Sequence, residues 1–283
     1  MDDLQARVIL SLYATPGDEK VGALVSEFGA VNAIEKLIAG QGSKNLVAKL
    51  TAADVNKDFS QVMKKTETSG STIITPDHIC WPSNLADLDF ATPFCLWTKG
   101  DLSVLLQTKT AVAIVGARAA TSYGERIAAE IGSTLGEWGT PSISGGAFGI
   151  DASAHRGSLA AGGVTIAVLA CGIDIAYPAA HHGLFNRITE SGLLISESPP
   201  GGLPLKNKFL TRNRIIAALS KEVVVVEAAL RSGSLSTANW ANALGRKVWG
   251  VPGPITSPTS AGVHQGIRNK SMEIMLEPTE LVA

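Results

Sequence analysis

The chain has 283 residues, a formal net charge of −1 and 45% apolar side chains, and its isoelectric point is near 6.5. This length suits one large domain or two domains of unequal size, and the apolar content is ample for a buried core. The near-neutral charge excludes binding of nucleic acid through bulk positive charge, so any such site must be a local basic patch.

The three cysteines show neither the spacing of metal ligands nor the even number expected of disulfides; they are Cys80, Cys95 and Cys171. This usage is typical of a reducing compartment, and we predict no metal site. The opening residues do not form a signal peptide, and no apolar run approaches the ~20 residues that span a bilayer. We therefore predict a cytoplasmic protein without a membrane partner.

The first 65 residues have a helical pattern of apolar positions. One stripe ends at Gly29 and a second ends at Gly40, and glycine directly after an apolar stripe is typical of a helix C-cap. We predict a small α-helical module over residues 1–65, similar to a SAM-like or helix-hairpin-helix unit, although a plain helical cap on a larger domain has the same pattern. A polar linker over 66–71 leads to a second domain over 70–283.

From Ala111 onward the pattern alternates between buried strands and helices. The predicted strands are 112–115, 141–144, 164–169, 193–196, 223–227 and 248–251, and the predicted helices are 125–138, 153–161, 182–191 and 237–244. The strands are short continuous apolar runs, as expected when helices cover both faces of a sheet. The predicted fold class is therefore α/β, with a Rossmann-like, doubly wound, mainly parallel sheet behind the small helical module.

A basic stretch between Leu205 and Arg214 carries four cations and no acid; they are Lys206, Lys208, Arg212 and Arg214. The pattern places both arginines in a loop directly in front of a short apolar helix. A helix N-terminus and two guanidinium forks together favour an anion such as phosphate. The alternative interpretation is a solvated basic loop.

The turns that follow the predicted strands carry the remaining candidate ligands, because doubly wound sheets bind ligands at the carboxyl ends of their strands. The first strand is followed by Gly116-Ala117-Arg118 and the second by a glycine-rich run from Ser144 to Asp151. The first turn lacks the later glycines of GxGxxG, and the second strand does not end in an acid for a ribose hydroxyl. We therefore predict no dinucleotide cofactor.

An enzymatic alternative is a nucleotide-binding phosphoribohydrolase-like protein, whose PGGxGTxxE motif includes a glutamate used in glycosidic cleavage. The nearest match is the run from Arg231 to Trp240, which has Trp240 at the position of that glutamate. Without the acid, the Ser232-Gly233 turn remains only as a place to hold phosphate. Asp151 and His155 could form an acid–base pair, but a helix cap and a packed imidazole explain them better. For catalysis by other routes the sequence offers little.

Several separate motifs, in a fixed order over about residues 81–270, resemble the DNA-processing protein A (Smf) family. They are Gly116-Ala117-Arg118 with Tyr123-Gly124, the run Ser144 to Asp151, His155, the run Thr165 to Asp174 with Tyr177-Pro178, Ser196-Glu197, Arg212-Asn213-Arg214 and Ser232-Gly233-Ser234. The resemblance implies a Rossmann-like core that binds single-stranded DNA in a basic pocket and loads the RecA recombinase on it during natural transformation and recombination. It also implies a homodimer without catalysis.

Carried over residue by residue, the resemblance and the basic stretch predict one DNA site. Its residues are Gly116, Arg118, Ser144, Gly145, Gly146, Gly149, Lys206, Lys208, Phe209, Arg212, Asn213, Arg214, Ser232 and Gly233. The chain departs from the family at Leu210, where a proline is frequent. It ends at Ala283, about thirty residues after its last predicted strand, so we expect no C-terminal winged-helix domain of the kind that many members carry.

Overall fold

The computed structural model describes residues 1–282, and Ala283, the last residue of the predicted second domain, lies outside the described residues. The helices are α1 Asp3–Tyr13, α2 Glu19–Lys36, α3 Lys44–Ala52, α4 Val55–Thr68, α5 Ser122–Glu137, α6 Ile150–Ala160, α7 His182–Ser191, α8 Lys206–Leu219, α9 Ser234–Ala243 and α10 Ala261–Arg268. The strands are β1 Thr72–Ile74, β2 Leu96–Gly100, β3 Val112–Val115, β4 Ser142–Ser144, β5 Thr165–Leu169, β6 Leu193–Ser196, β7 Glu222–Val225, β8 Lys247–Gly250 and β9 Glu273–Ile274.

All the strands belong to one sheet with the order β1-β2-β6-β5-β4-β3-β7-β8-β9. Along this order, every pair of neighbouring strands from β6 to β9 is parallel, whereas β2 pairs antiparallel with both β6 and β1. The chain builds the sheet outward from β3, first through β4, β5 and β6 and then through β7, β8 and β9. This arrangement confirms the Rossmann-like prediction, and it places the topological switch point between β3 and β7.

Helices α1 to α4 share an apolar core, to which Phe94 from the segment before β2 also contributes. Val8 and Val62 also pack against Cys95 and Trp97 of the sheet domain. The indole Nε1 of Trp97 donates a buried hydrogen bond of 3.0 Å to Oγ1 of Thr66. This bond joins the last turns of α4 to β2, so the helical module and the sheet are in direct contact. Helix α4 ends at Thr68, three residues beyond the predicted end of the module.

The six predicted strands correspond to β3 to β8, and no bounds were predicted for β1, β2 and β9. The six begin and end within two residues of their predicted bounds, and β3 and β6 match them. Their continuous burial explains this agreement, because both faces are covered by helices and every side chain of β3 to β7 is buried. No helix within residues 1–282 is long and apolar enough to cross a membrane.

Helix α8 contradicts the predicted loop in front of an apolar helix, because it already begins at Lys206 and contains the whole basic stretch. Leu205 occupies its N-cap position and offers no capping side chain, so the usual sequence signal of a helix start is missing. Its buried face includes Arg212 and Arg214, which hides the apolar periodicity. The arginines therefore lie in the middle of a helix.

Candidate nucleic-acid interface

A cleft of about 780 Å³ opens at the switch point, beyond the carboxyl ends of β3 and β7. One wall is the loop after β3, which carries Arg118, and the opposite wall is the loop that leads into α9. The N-terminal half of α8 lies between them. The fold thus brings together three segments that are distant in sequence, at the edge where doubly wound sheets bind ligands.

Arg118 is the exposed cation of the first loop. Its guanidinium carbon lies 4.7 Å from the ring centroid of Phe209, a cation–π distance. Gly149 supports this loop from below, because it has φ of +72° and a Cβ there would lie 2.4 Å from the carbonyl oxygen of Ala117. Gly149 therefore positions the backbone of the loop and does not itself line the cleft.

A smaller pocket of about 300 Å³ adjoins Arg118 and has aromatic walls. Phe148 and Tyr177 are 47% and 43% exposed, and the ring centroids of Tyr177 and Phe209 are 5.5 Å apart. Exposed rings beside a cation suit the stacking of unpaired nucleobases. Sequence reasoning named Phe209 but missed Phe148 and Tyr177. Both lie in motifs that follow the end of a predicted strand, where an aromatic side chain is less able to pack into the core and is therefore a candidate ligand.

The wall formed by the loop before α9 also carries polar groups. Ser232 and Gly233 line it, and the Asn213 amide donates a 3.0 Å hydrogen bond to the carbonyl oxygen of Gly233. Arg231 is exposed and lines the same wall. The sequence prediction missed Arg231, although a cation directly before a Ser-Gly turn that starts a helix is a phosphate-binding signal.

Arg212 lines the cleft from the interior of α8 but is only 7% exposed. Its Nη1 donates to the carbonyl oxygens of Gly145, at 2.9 Å, and Val168. A Cβ on residue 145 would lie 2.3 Å from that nitrogen, so Gly145 is required for this contact. Contrary to the sequence prediction, Arg212 is not at a solvated helix entrance, and core packing depends on it.

Asp151 is the counter-charge of Arg212 in this interior. Its carboxylate accepts hydrogen bonds from the backbone N–H groups of Gly145 and Ala147, at 3.2 and 3.3 Å. Burial raises the pKa of Asp151, while the nearby Arg212 cation acts in the opposite direction. Burial also lowers the pKa of Arg212 to about 10. The pair fixes the loop after β4 that forms the floor of the aromatic pocket.

His155 is not part of an acid–base pair with Asp151. The imidazole is fully buried, and its Nδ1 lies 2.7 Å from Oγ1 of Thr165. Burial lowers the pKa of His155 to about 3, so the ring is neutral. This contact supports the interpretation of a packed histidine over that of a general base.

Arg214 does not reach the cleft, in conflict with its predicted role as a DNA ligand. It is 1% exposed, and its Nη2 and Nη1 donate to the two carboxylate oxygens of Glu197 at 2.6 and 2.8 Å. Its Nε donates to the carbonyl oxygen of Ala91 at 2.9 Å. The physical reason is helical geometry, because residues two apart point to different sides of a helix and Arg214 faces the protein interior.

Three other predicted ligands also lie away from the cleft. Ser144 is buried and donates its hydroxyl hydrogen to the carbonyl oxygen of Ile114, at 2.6 Å. Gly146 is buried, and a Cβ there would collide with the ring of Phe185. Lys208 points to the opposite side of α8 from Lys206, toward Gly202. The predicted residues that line the cleft or the pocket are Gly116, Arg118, Gly145, Lys206, Phe209, Arg212, Asn213, Ser232 and Gly233.

Within residues 1–282, Asp, Glu and His side chains that could act as a general acid or base are represented in the cleft lining by one carboxylate. That carboxylate is Asp151, which already accepts two backbone hydrogen bonds. Trp240, at the position of the hydrolase glutamate, lies on α9 and packs against the core. Over the same residues, no three His, Cys, Asp or Glu side chains are grouped to hold a metal ion.

The chain is similar to a known protein family and to proteins of several bacteria. The family model described as "DNA recombination-mediator protein A" matches residues 72–283. A Mycobacterium tuberculosis (strain ATCC 25618 / H37Rv) protein with the provisional name DNA processing protein DprA is 42% identical over 280 residues, covering 94% of this chain and 71% of the relative.

Two solved structures are also similar. The X-ray structure of DNA processing protein A from Streptococcus pneumoniae has a TM-score of 0.79 and 29% identity, and the match covers 98% of this chain and 96% of the other. A structure of DNA processing protein A from Helicobacter pylori, whose subject is its single-stranded DNA binding mode, has a TM-score of 0.67 and 30% identity, and the match covers 75% and 94% of the two chains.

Proposed function

The chain belongs to the DNA recombination-mediator protein A family, and from this membership we propose that it binds single-stranded DNA in the cleft between β3 and β7. The observation that carries the proposal is the exposed guanidinium of Arg118 against the ring of Phe209, at the mouth of an aromatic pocket. Binding of single-stranded DNA requires a cation that contacts the phosphate backbone and flat aromatic rings on which the bases stack. The Helicobacter pylori relative, whose structure concerns its single-stranded DNA binding mode, adds support.

A single strand fits this site better than a duplex. The exposed cations Arg118, Lys206 and Arg231 surround a concave cleft instead of lying along a flat or convex face. The rings of Phe148 and Tyr177 can stack only on bases that are free of a partner strand. We therefore expect a preference for single-stranded over double-stranded oligonucleotides, with an affinity that falls as salt rises.

The partners beyond DNA belong to the same proposal. A recombination mediator acts together with a recombinase, so the family description favours a RecA-type partner that receives the bound strand. The homodimer that the family resemblance implies is also part of the proposal. Strand β7 does not offer a free sheet edge for it, because it lies between β3 and β8. The outer strand on that side is β9, and Ile274 and Leu276 are exposed there, which makes this edge our candidate for the contact between two copies.

We also propose that the cleft binds without catalysis. Asp151, its one carboxylate within residues 1–282, is held by backbone amides and by the Arg212 charge, which disfavours a role in proton transfer. Incubation with nucleoside monophosphates should release no free base. Turnover would instead favour the phosphoribohydrolase alternative.

The Arg118→Ala variant tests the proposed site directly. Because Arg118 is exposed and makes its contact at the surface, its loss should change stability by no more than about 0.5 kcal/mol. Loss of a charge-assisted phosphate contact should weaken binding of a single-stranded oligonucleotide about ten- to a hundredfold and lower the log–log salt slope by about 0.7. Fluorescence anisotropy over a salt series measures both quantities.

The matched control is Arg187→Ala, which removes the same charge from an exposed position on α7 outside the cleft. We expect it to bind like the wild-type protein. If the two variants lose affinity equally, the DNA does not lie in this cleft.

A further inference from the structure

Two lysines from different parts of the chain meet at the loop of residues 199–202, between β6 and α8. A Cβ on Gly201 would lie 2.9 Å from Nζ of Lys65, which belongs to α4 of the helical module. A Cβ on Gly202 would lie 3.4 Å from Nζ of Lys208, on the first turn of α8. Both ammonium groups therefore rest on neighbouring glycines, which leave room for them because they have no side chain.

The loop that carries these glycines is held in place by hydrogen bonds. The N–H of Gly201 donates to Oδ1 of Asp174 at 2.8 Å, and the carbonyl oxygen of Gly202 accepts from the N–H of Gly172 at 2.7 Å. Lys65 is equally fixed at its base, because the adjacent Thr66 accepts the buried hydrogen bond of Trp97. The two cations are thus presented from rigid elements.

In the described part of the chain, residues 1–282, neither of these two cations forms an ion pair within 4.0 Å. Of the nearby acids, Asp174 is engaged by the Gly201 amide and Glu197 by Arg214. Burial lowers the pKa of Lys208, which reflects a charge removed from water without full compensation. Both cations lie at the same loop, so a phosphate bound there would be attracted by both of them.

The loop also joins the cleft. Pro204 and Lys206, which follow it, line the cleft, whereas Lys208 faces the other side of α8. Leu203 and Leu205 are exposed between the two sides and offer apolar surface to bases. A strand that passes over the N-terminal end of α8 would therefore go from Lys206 to Lys208 and Lys65.

We propose that Lys65 and Lys208 form a second phosphate site, which holds the backbone of single-stranded DNA after it leaves the cleft. This inference rests on the proposed function. It makes the helical module a part of the DNA-binding surface, although the segment that matches the family model begins only at residue 72.

The test compares oligo(dT) of two lengths on the full chain. One of about six nucleotides fills the cleft alone, and one of about twenty can reach beyond it, given that single-strand sites cover ~4–16 nucleotides per domain. Lys65→Ala should bind the short oligonucleotide like the wild-type protein and the long one at least threefold more weakly. Its salt slope on the long oligonucleotide should be smaller by about 0.7. Lys65→Glu should show a larger loss.

The matched control is Lys57→Ala, an exposed lysine two turns earlier on the same helix, and it should leave both affinities unchanged. If Lys65→Ala equals Lys57→Ala on the long oligonucleotide, the inference is wrong while the cleft proposal stands. If the wild-type protein binds neither oligonucleotide, or if Arg118→Ala binds both normally, the cleft proposal itself fails. A loss on both lengths for Lys65→Ala would also overturn the inference, since it would place the effect inside the cleft.

Discussion

The two ends of the basic stretch in α8 use the same kind of charge in opposite ways. At its start, Lys206 is exposed and lines the cleft beside Phe209. About two turns later, Arg212 and Arg214 are 7% and 1% exposed and are bound to protein oxygens. The difference teaches that burial and partners, and not the density of cations in the sequence, decide which positive charges are available to a ligand.

The buried end can be understood from desolvation. A guanidinium that leaves water loses several kcal/mol of hydration, which only good geometry and opposite charge offset. Arg214 has both, through its two bonds to Glu197. Arg212 has carbonyl oxygens and the charge of Asp151. Both arginines are therefore committed to the fold, whereas Arg118 and Lys206 remain free to bind phosphate.

The largest expected effect is on stability, in Arg214→Ala. Removing one partner of a buried ion pair leaves the Glu197 carboxylate without its cation, and we expect the free energy of unfolding to fall by about 3–5 kcal/mol. Urea denaturation followed by circular dichroism measures this change. An Arg214→Met/Glu197→Leu double variant should recover most of the loss, because no uncompensated charge remains. A stable Arg214→Ala protein that no longer binds DNA would reverse our assignment.

The next effect is that of Arg212→Ala, which we expect to lose about 3 kcal/mol at neutral pH. Without the cation, the folded-state pKa of Asp151 rises further above the unfolded value of about 3.9. A carboxyl with a raised folded pKa destabilises the protein as pH increases, so the deficit should be largest at pH 7 and shrink toward pH 5. Urea denaturation at both values checks this sign.

The control for that pH dependence is Arg212→Ala/Asp151→Asn, in which nothing remains to titrate at this position. Its stability deficit relative to Asp151→Asn should be the same at pH 7 and pH 5. A deficit in Arg212→Ala that grows toward acid pH would show that Asp151 is not its electrostatic partner.

The sequence predicted the sheet better than it predicted the site. Strands such as 112–115 and 193–196 are buried on both faces, so their apolar runs determine them locally. The position of Arg118 followed from the rule for strand exits. The burial of Arg212 and Arg214 could not be predicted, because it depends on their contacts with Gly145 and Glu197. Those two residues are distant in sequence and come near the arginines only in the folded sheet.

A smaller effect, on DNA binding, is expected for Phe209→Ala at the exposed end of the basic stretch in α8. Loss of a stacking ring should weaken binding of oligo(dT) by about 1–3 kcal/mol. Because the ring carries no charge, the salt slope should stay at its wild-type value, in contrast to the Arg118→Ala variant. Anisotropy titrations at several salt concentrations separate the two. A changed slope in Phe209→Ala would indicate that the ring acts mainly by holding Arg118.

The smallest effect should come from Arg118→Lys, which separates the charge of this side chain from its shape. Lysine keeps the cation and hence the phosphate contact that determines the salt slope, so the slope should not change. It loses the planar guanidinium that lies 4.7 Å from the Phe209 ring and can bind phosphate through two donors. We therefore expect a loss of less than about 1 kcal/mol, roughly threefold in affinity. If Arg118→Lys instead binds as weakly as Arg118→Ala, the planar stack on Phe209 matters more for binding than the charge does.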